Sequence, residues 1–315
     1  MAELVVLELD SAITHPVERM VAGIDGDVLR YELGHIAMKK EHIFNIEVVR
    51  PWPEEEVNEL VDKKIEQIIE RVGADDYEVY LTGKDNFRLE LATIRQYKGT
   101  RVGNTKPHHW QTVSDRLKDK WGAVTVNGIE ADDWLGVRGT EEGDNFTACS
   151  RDKDIRQITE CHHYSWACGD KQPELGPFRN EGLGRVSASW RLYGKKKPQK
   201  SWKLEGYGTA FLYGQLLVGD SVDNIPGCPE IGPKSAADLL GHLTTEKDLF
   251  QACAYEYQKV YGDNWKEYLT ENFRLLYLIR DRNWFDIEQS GNELNCRVIR
   301  HWEIPYEDED GELFY

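Results

Sequence analysis

The sequence predicts an α/β fold with a mainly parallel central sheet and helices on both faces, followed by a C-terminal helical region containing a helix-hairpin-helix. Three observations carry this. Short β-prone runs alternate with helical stretches over most of the chain, clusters of acids recur just past successive strand candidates, and strand signals fade after residue 209 in favour of helical patterns up to residue 282. In an open parallel sheet, ligands sit beyond the carboxyl ends of the strands, so the acid clusters mark that edge.

Taken in order, residues 4–9 form a possible strand with no clear place. Residues 20–24 are an apolar run ending in Asp25-Gly26-Asp27, with a helix-like stretch over 28–40 behind it, which reads as strand, turn, helix. Residues 54–72 put Val57, Leu60, Val61, Ile65, Ile68 and Ile69 on one face of an amphipathic helix. Residues 78–81 read as the next strand, and Gly, Thr, Asn and Pro between 99 and 107 mark an irregular region before a helix over 110–121. A short strand at 123–126, a helix at 130–138, and strands at 146–149 and 163–166 complete the alternation. The division expected from this pattern is an α/β core over 1–205, with an irregular basic segment at about 84–120, and a helical region with an acidic tail over 206–315.

Of the 315 residues, 39 are Lys or Arg and 56 are Asp or Glu, a net charge of -17, while 40% are hydrophobic. This composition excludes disorder for most of the chain. Residues 1–11 carry acids where a secretion signal needs bases, and the longest apolar run, 210–219, is half of what a membrane helix requires, so a cytoplasmic protein without membrane contact is expected. Six cysteines without C-x-x-C spacing fit a reducing compartment. Cys161-His162-His163 with Cys168 lacks a second ligand pair and is read as packing, and Gly182-Leu183-Gly184 is too little for a nucleotide loop.

Charge is unevenly spread. Residues 84–120 hold nine bases and four acids, and 182–204 hold seven bases and no acid. Two basic patches on an acidic chain suit a polyanion ligand, although solvated loops would have the same composition.

The chemistry is carried by three acid clusters: GIEADDW (128–134), SRDKD (150–154) and GDSVDNIPG (219–227). Glu130 and Asp133, like Asp220 and Asp223, are three apart and share a helical face; Asp152 and Asp154 share one side of an extended segment. Any one cluster could consist of helix caps and solvated acids. Converging on Asp25, however, they would repel one another by several kcal/mol unless cations intervened, and oxygen-only ligands favour Mg²⁺ or Mn²⁺. Two such ions can activate water and stabilise both oxygens of an in-line displacement at phosphorus, which points to phosphodiester hydrolysis.

The block GQLLVGDSVDNIPGCPEIGPKSAADLL (214–240), with GIEADDW and SRDKDIRQI, resembles the 5′ nuclease superfamily, which includes flap endonucleases, the 5′ exonuclease part of bacterial DNA polymerase I and stand-alone phage 5′-3′ exonucleases. The resemblance covers residues 21 to about 240 and is most like a stand-alone phage enzyme. It implies that Asp25, Glu130, Asp132, Asp133, Asp152, Asp154, Asp220 and Asp223 surround two Mg²⁺ ions, for which Mn²⁺ can substitute. Asp25 and Asp152 would be catalytic through those metals. The basic segment would be the arch over the site, with Lys98 and Arg101 as its catalytic cations and Arg88, Tyr97 and Lys106 as DNA contacts. Phe87, Tyr97 and Trp110 could stack bases, with packing the preferred role for Trp110. Residues 225–240 would be the helix-hairpin-helix, gripping duplex DNA through Gly227, Gly232 and Lys234 and able to hold K⁺. In one place the pattern departs: LTGKDNFR (81–88) has Thr82 and Gly83 where the family has another acid, and Asp85 is the substitute the sequence offers.

The function implied is a two-metal, structure-selective 5′ nuclease, acting as a 5′-3′ exonuclease or flap endonuclease on double-stranded DNA with 5′ ends, flaps or nicks, with RNA/DNA hybrid as a further substrate. A monomer is expected. The rival readings are a PIN-type ribonuclease and, because of Gly83, a catalytically impaired DNA-junction-binding protein.

Overall fold

The computed structural model describes residues 19–36, 38–101, 103, 105–169, 172–193, 199–299, 306–307 and 313–314. The strand expected at 4–9, most of the acidic tail and the middle of the second basic patch fall outside these residues.

The first half alternates as expected: β1 (Val21–Asp25), α1 (Gly26–Ile36), β2 (Met38–Ile43), β3 (Ile46–Pro51), α2 (Glu54–Val72), β4 (Asp76–Thr82), α3 (Arg88–Leu91), α4 (Trp110–Asp119), β5 (Val124–Asn127), α5 (Ala131–Glu142), β6 (Phe146–Cys149) and β7 (His162–Ser165). Then come β8 (Leu175–Arg179), β9 (Arg185–Tyr193), β10 (Gln199–Tyr207), α6 (Gly208–Val218), α7 (Pro233–Leu240), α8 (Glu246–Tyr261), α9 (Trp265–Leu276), β11 (Phe285–Ser290) and β12 (Glu293–Val298). The eight-stranded sheet has the order β11-β12-β5-β4-β1-β6-β7-β8; from β12 to β7 neighbouring strands are parallel, and only the two edge strands run antiparallel.

Strand alternation sorts side chains into two cores, one per face. Ala22, Ile24, Val79 and Leu81 join the apolar faces of α1, α2 and α4. Val21, Tyr80, Val126, Phe146 and Ala148 join α5 and the helices α6–α9 on the other face. α2 shows the logic at sequence level: Val57, Val61, Ile65 and Ile68 recur at helical spacing and are all buried, and Gly73 ends the helix in the left-handed conformation.

Two expectations are corrected. The helix after β1 stops at Ile36 rather than residue 40, because the chain turns into the β2–β3 hairpin, whose two-residue turn puts Phe44 and Asn45 at φ 54° and 65°. The C-terminal region is not purely helical: β11 and β12 return to the central sheet, where β12 pairs with β5, and one apolar core runs from the strands through α9. β9 and β10, missed entirely, form a separate two-stranded ribbon out of the second basic patch. Among the described residues no helix is long and apolar enough to cross a membrane.

Within the larger core sits a buried ion pair. The guanidinium of Arg88 donates to both carboxylate oxygens of Asp133 at 2.5 and 2.8 Å and to the carbonyls of Leu275 and Tyr277, and Asp133 also accepts from the N–H of Ile279. Both side chains are essentially inaccessible to water. This pair ties α3, α5 and the end of α9 together. Arg88→Met should therefore cost about 3–5 kcal/mol, since it strands a buried carboxylate, and pairing it with Asp133→Leu should recover much of the loss. Urea unfolding of the two single variants and the double variant checks this; a single-variant loss under about 1 kcal/mol would contradict it.

Candidate active site

The site is assembled at the carboxyl ends of β1, β4, β5 and β6. β1 ends in Asp25, whose Oδ1 accepts from the N–H groups of Asp27 and Val28 at 3.0 and 3.2 Å, so its carboxylate is clamped over the first turn of α1. The hydroxyl of Ser150, just past β6, donates to the other oxygen at 2.7 Å. The N–H of Asp152 donates back to that same hydroxyl oxygen at 3.0 Å, and Asp152 accepts from the N–H of Asp154 at 3.0 Å. From β5 the chain enters α5, with Glu130 as the residue before the helix and a reciprocal capping arrangement between Glu130 and Asp133. The hydroxyl of Thr82, at the end of β4, accepts from the N–H of Ala131 at 2.9 Å and so fixes the start of this helix.

These elements enclose a cavity of about 540 Å³ lined by Asp25, Asp27, Glu32, Glu130, Asp132, Asp152, Asp154 and Asp223, with Lys98, Arg101, Arg151 and His35 on its walls. Six of the eight carboxylates expected at the metals are thus brought to one cavity. Asp133 is not among them, because its carboxylate is spent on Arg88. Asp220 lies just outside: its carboxylate accepts from Lys153 at 2.9 Å and from the N–H of Val222 at 2.8 Å.

The expected DNA contacts divide. Arg88 is buried in the ion pair and cannot reach DNA. Tyr97 is 3% exposed and cannot stack a base; its hydroxyl donates to Glu130 at 2.7 Å. Lys106 is exposed, with its ammonium 5.0 Å from the Trp110 ring, and Trp110 packs edge-on against Tyr31. Lys98 and Arg101 do reach the cavity, Lys98 as an ion pair with Glu130 and Arg101 with Asp223 at 2.6 Å. Lys98 adopts a left-handed φ of 54°, held by hydrogen bonds from its N–H to the Asp223 carbonyl at 2.9 Å and from the Arg101 N–H to its own carbonyl. The helix–turn–helix element is formed by α6 and α7. Gly219 and Gly227 have φ of 73° and 59° and pass so close that a Cβ on either would strike the other's backbone, and Gly232 caps α7 where a Cβ would meet no atom within 4 Å. Lys234 is exposed and paired with Asp238.

After β4, where the family has an acid, the neighbouring carboxylate comes from the first turn of α1. A Cβ on Gly83 would meet the Asn127 side chain at 2.0 Å, so an acid there would require Asn127 to move, and Asp85 lines a different cavity with Glu90 and Asp286. Instead both carboxylate oxygens of Asp27 accept from the N–H of Thr82, at 3.1 and 3.2 Å, with Arg30 as an ion-pair partner. Gly26 makes this possible, since a Cβ at 26 would collide with the Tyr80 carbonyl and Leu81. Asp25-Gly26-Asp27 looked like a turn in the sequence, and that reading hid Asp27's place in the cavity. Ser150 and Gln215, a buried side chain donating to Asp154 at 2.6 Å, were likewise not legible as parts of the site.

The electrostatics record crowding of like charge. Burial, and then the neighbouring Asp27, push Asp25 to about 7; burial and Asp152 push Asp154 to about 6; burial with Glu130 and Asp133 raises Asp132 well above the carboxylate range. Against the raising effect of burial, Lys98 and Arg88 hold Glu130 low, and Lys153 does the same for Asp220. Among the described residues no three His, Cys, Asp or Glu side chains are gathered tightly enough to hold an ion as they stand. Ammonium and guanidinium groups lie between them instead, Lys153 bridging Asp154 and Asp220 at 2.8 and 2.9 Å. The donor set is all oxygen, and four of its carboxylates, those of Asp25, Asp132, Asp154 and Asp223, have raised pKa values; this fits divalent cations of the Mg²⁺ kind.

A cation requires these acids deprotonated. With Asp25 raised from 3.8 to about 7, the folded protein keeps a proton that the unfolded chain releases between about pH 4 and 7, so this group's contribution weakens the fold as pH rises through that window. Mn²⁺ affinity, measured by calorimetry, should therefore climb between pH 5.5 and 8. Ser150→Ala removes a donor that favours charged Asp25 and should move the climb to higher pH. Superimposable pH profiles for the two proteins would count against Ser150 as the group that positions Asp25.

No protein-family model matches the chain. In sequence it is 30% identical over 178 residues to a 5′-3′ exonuclease of Mycobacterium tuberculosis, covering 51% of this chain and 52% of that one. It is 34% identical over 122 residues to DNA polymerase I of Rhizobium leguminosarum, 37% of this chain and 10% of the polymerase, and 27% identical over 179 residues to a 5′-3′ exonuclease of Buchnera aphidicola. The chain spans about half the length of the curated exonucleases it matches. Among solved structures, a bacteriophage T5 flap endonuclease crystallised with DNA and metal ions aligns over 82% of this chain and 99% of its own, at 15% identity and a TM-score of 0.44. A T5 5′-exonuclease with bound zinc aligns over the same share at a TM-score of 0.46; both are likenesses of outline only. In sequence the chain is therefore similar to 5′-3′ exonucleases and to a DNA polymerase I over between 37% and 55% of its length.

Proposed function

We propose that this chain is a divalent-metal-dependent, structure-selective 5′ nuclease that hydrolyses phosphodiesters at 5′ ends, flaps or nicks of double-stranded DNA. The observation that carries this reading is the one cavity in which seven aspartate and glutamate side chains, Glu32 aside, gathered from the ends of β1, β5 and β6 and the α6–α7 turn, face two cations of the basic segment. Asp25, Asp27, Glu130, Asp132, Asp152, Asp154 and Asp223 would hold two Mg²⁺ ions, with Asp220 supporting them from behind through Lys153. When bound, such ions supply Lewis acidity to the phosphate and lower the pKa of the attacking water.

The protein's own groups do the rest. Lys98 stays cationic, since Glu130 and Asp223 outweigh the effect of burial on its ammonium, and it stands where charge grows on the scissile phosphate. Arg101 neutralises the same phosphate from the rim. Water adds at phosphorus as the bond to the 3′ oxygen breaks, leaving 5′-phosphate and 3′-hydroxyl ends. The open N-terminus of α7 at Gly232, with Gly227 allowing the tight turn before it and Lys234 alongside, suits a duplex phosphate held without regard to base identity. A K⁺ ion in that turn belongs to the same proposal.

Asp27 in the place of the missing acid supports a working enzyme over an impaired junction binder. Cleavage of a 5′-labelled flap duplex tests this. Asp152→Asn should abolish metal-dependent cutting, Lys98→Ala should slow single-turnover cutting by ~10²–10³-fold, and Asp27→Asn should weaken both Mn²⁺ binding and cutting. Native-rate cleavage by clean Asp152→Asn protein would sink the proposal, and a strong preference for an RNA 5′ strand would favour the ribonuclease reading.

A further inference from the structure

The wall formed by Arg151 and Asp152 is shared between the active-site cavity and a second one of about 670 Å³. The far side of this cleft is the β9–β10 ribbon, which contributes Arg185, Lys203 and Tyr207; Arg156 and Phe178 complete the parts that matter. Its charge is opposite to that of its neighbour. Five cationic side chains meet three carboxylates there, on a chain with a net charge of -17.

Two of those cations have no carboxylate within ion-pair distance among the described residues. Arg156 is half-buried, and Asp152, Asp154 and Glu205 act on it through space, yet it makes no ion pair among the described residues. Arg185 is exposed, with its guanidinium 5.4 Å from the Tyr207 ring centroid. A partly desolvated guanidinium without an anion is costly, and a phosphate oxygen relieves that cost with charge-assisted hydrogen bonds. Beside the two arginines the rings of Phe178 and Tyr207 lie 6.3 Å apart, each partly accessible. Cations interleaved with aromatic faces are the requirement for holding single-stranded nucleic acid. The volume is that of a drug-sized ligand, far short of a duplex whose major groove alone is ~12 Å wide.

We propose that this cleft binds a short single-stranded stretch of the DNA strand being cut, with phosphates on Arg156 and Arg185 and bases against Phe178 and Tyr207. The proposal rests on the nuclease reading of the adjoining cavity, because the shared wall is what leads one strand from the metals into the cleft. It also gives the ribbon, which stands apart from the central sheet, a task.

The test is fluorescence anisotropy with a labelled oligothymidylate of about eight nucleotides, using Ca²⁺ in place of Mg²⁺ to prevent cutting. Arg156→Gln with Arg185→Glu should weaken binding at least ~tenfold at low salt and reduce the slope of log affinity against log salt by about 1.4, two phosphates at ~0.7 each. Arg185→Glu alone, on an exposed side chain, should give about half that change in slope, and Arg156→Lys should keep it. Thermal unfolding and Mn²⁺ affinity unchanged from native report an intact fold and metal site. Equal affinity and slope for native and double-variant protein, with those controls intact, overturns the cleft. Native protein that cuts a 5′ flap duplex but binds no oligothymidylate also overturns it while leaving the nuclease reading standing; failure to cut any 5′ structure would instead remove the nuclease reading.

Discussion

Carboxylates do not gather in one cavity without something to offset their repulsion, and most of the local architecture can be understood as managing that cost. Where a basic side chain is available the acid stays low: Lys98 for Glu130, Lys153 for Asp220. Where burial and neighbouring acids outweigh any basic group the pKa rises, as at Asp25, at Asp132 despite Arg88 and Lys98, and at Asp154 despite Lys153. Hydrogen bonds from the fold also fix where these acids stand. Asp25 is clamped by two N–H groups and a serine hydroxyl, and the start of α5 is fixed by Thr82. A site pre-assembled against its own repulsion is one in which cation binding recovers energy already spent in folding.

The basic segment around Lys98 and the α6–α7 turn are joined at this same place. Besides the Lys98 N–H to the Asp223 carbonyl, Thr100 donates to the carbonyl of Val222 at 3.0 Å and Asn224 donates to that of Gln96 at 3.0 Å. Asp223 meets Arg101 through its side chain. The turn that would grip duplex phosphate therefore also sets the position of the two cations over the acids.

Much of this was legible in the sequence. The parallel sheet followed from alternating periodicities, and β6 fell where an unbroken β-prone run ended in the SRDKD acids. Of the acids paired by spacing, only Asp152 and Asp154 reach the cavity together; Glu130 and Asp223 reach it without Asp133 and Asp220, and the set as a whole, Asp25 and Asp132 included, was named through the family resemblance. What was hidden is of two kinds. Arg88, Asp133 and Tyr97 carry residue types that suggest surface chemistry, but tertiary burial turned them into a structural clamp and a hydrogen-bond donor; no local pattern reports burial. Asp27 was hidden by the opposite error: it sits in an obvious turn, and only the pairing of β1 with β4 brings it onto Thr82. The ribbon was missed because its bases masked a period-two pattern that pairs Arg185 with Tyr207 through to Tyr193 with Gln199.

On the proposed reading, divalent ions take the place that the Lys153 ammonium holds between Asp154 and Asp220 and draw Glu130 away from Lys98. Anomalous diffraction from crystals soaked in Mn²⁺ tests it most directly. The account predicts manganese peaks within reach of Asp25, Asp27, Glu130 and Asp132 and of Asp152 and Asp154, with Lys153 withdrawn from its bridge between Asp154 and Asp220. Crystals that take up no manganese in this cavity, with Lys153 still bridging and Lys98 still seated on Glu130, would contradict it.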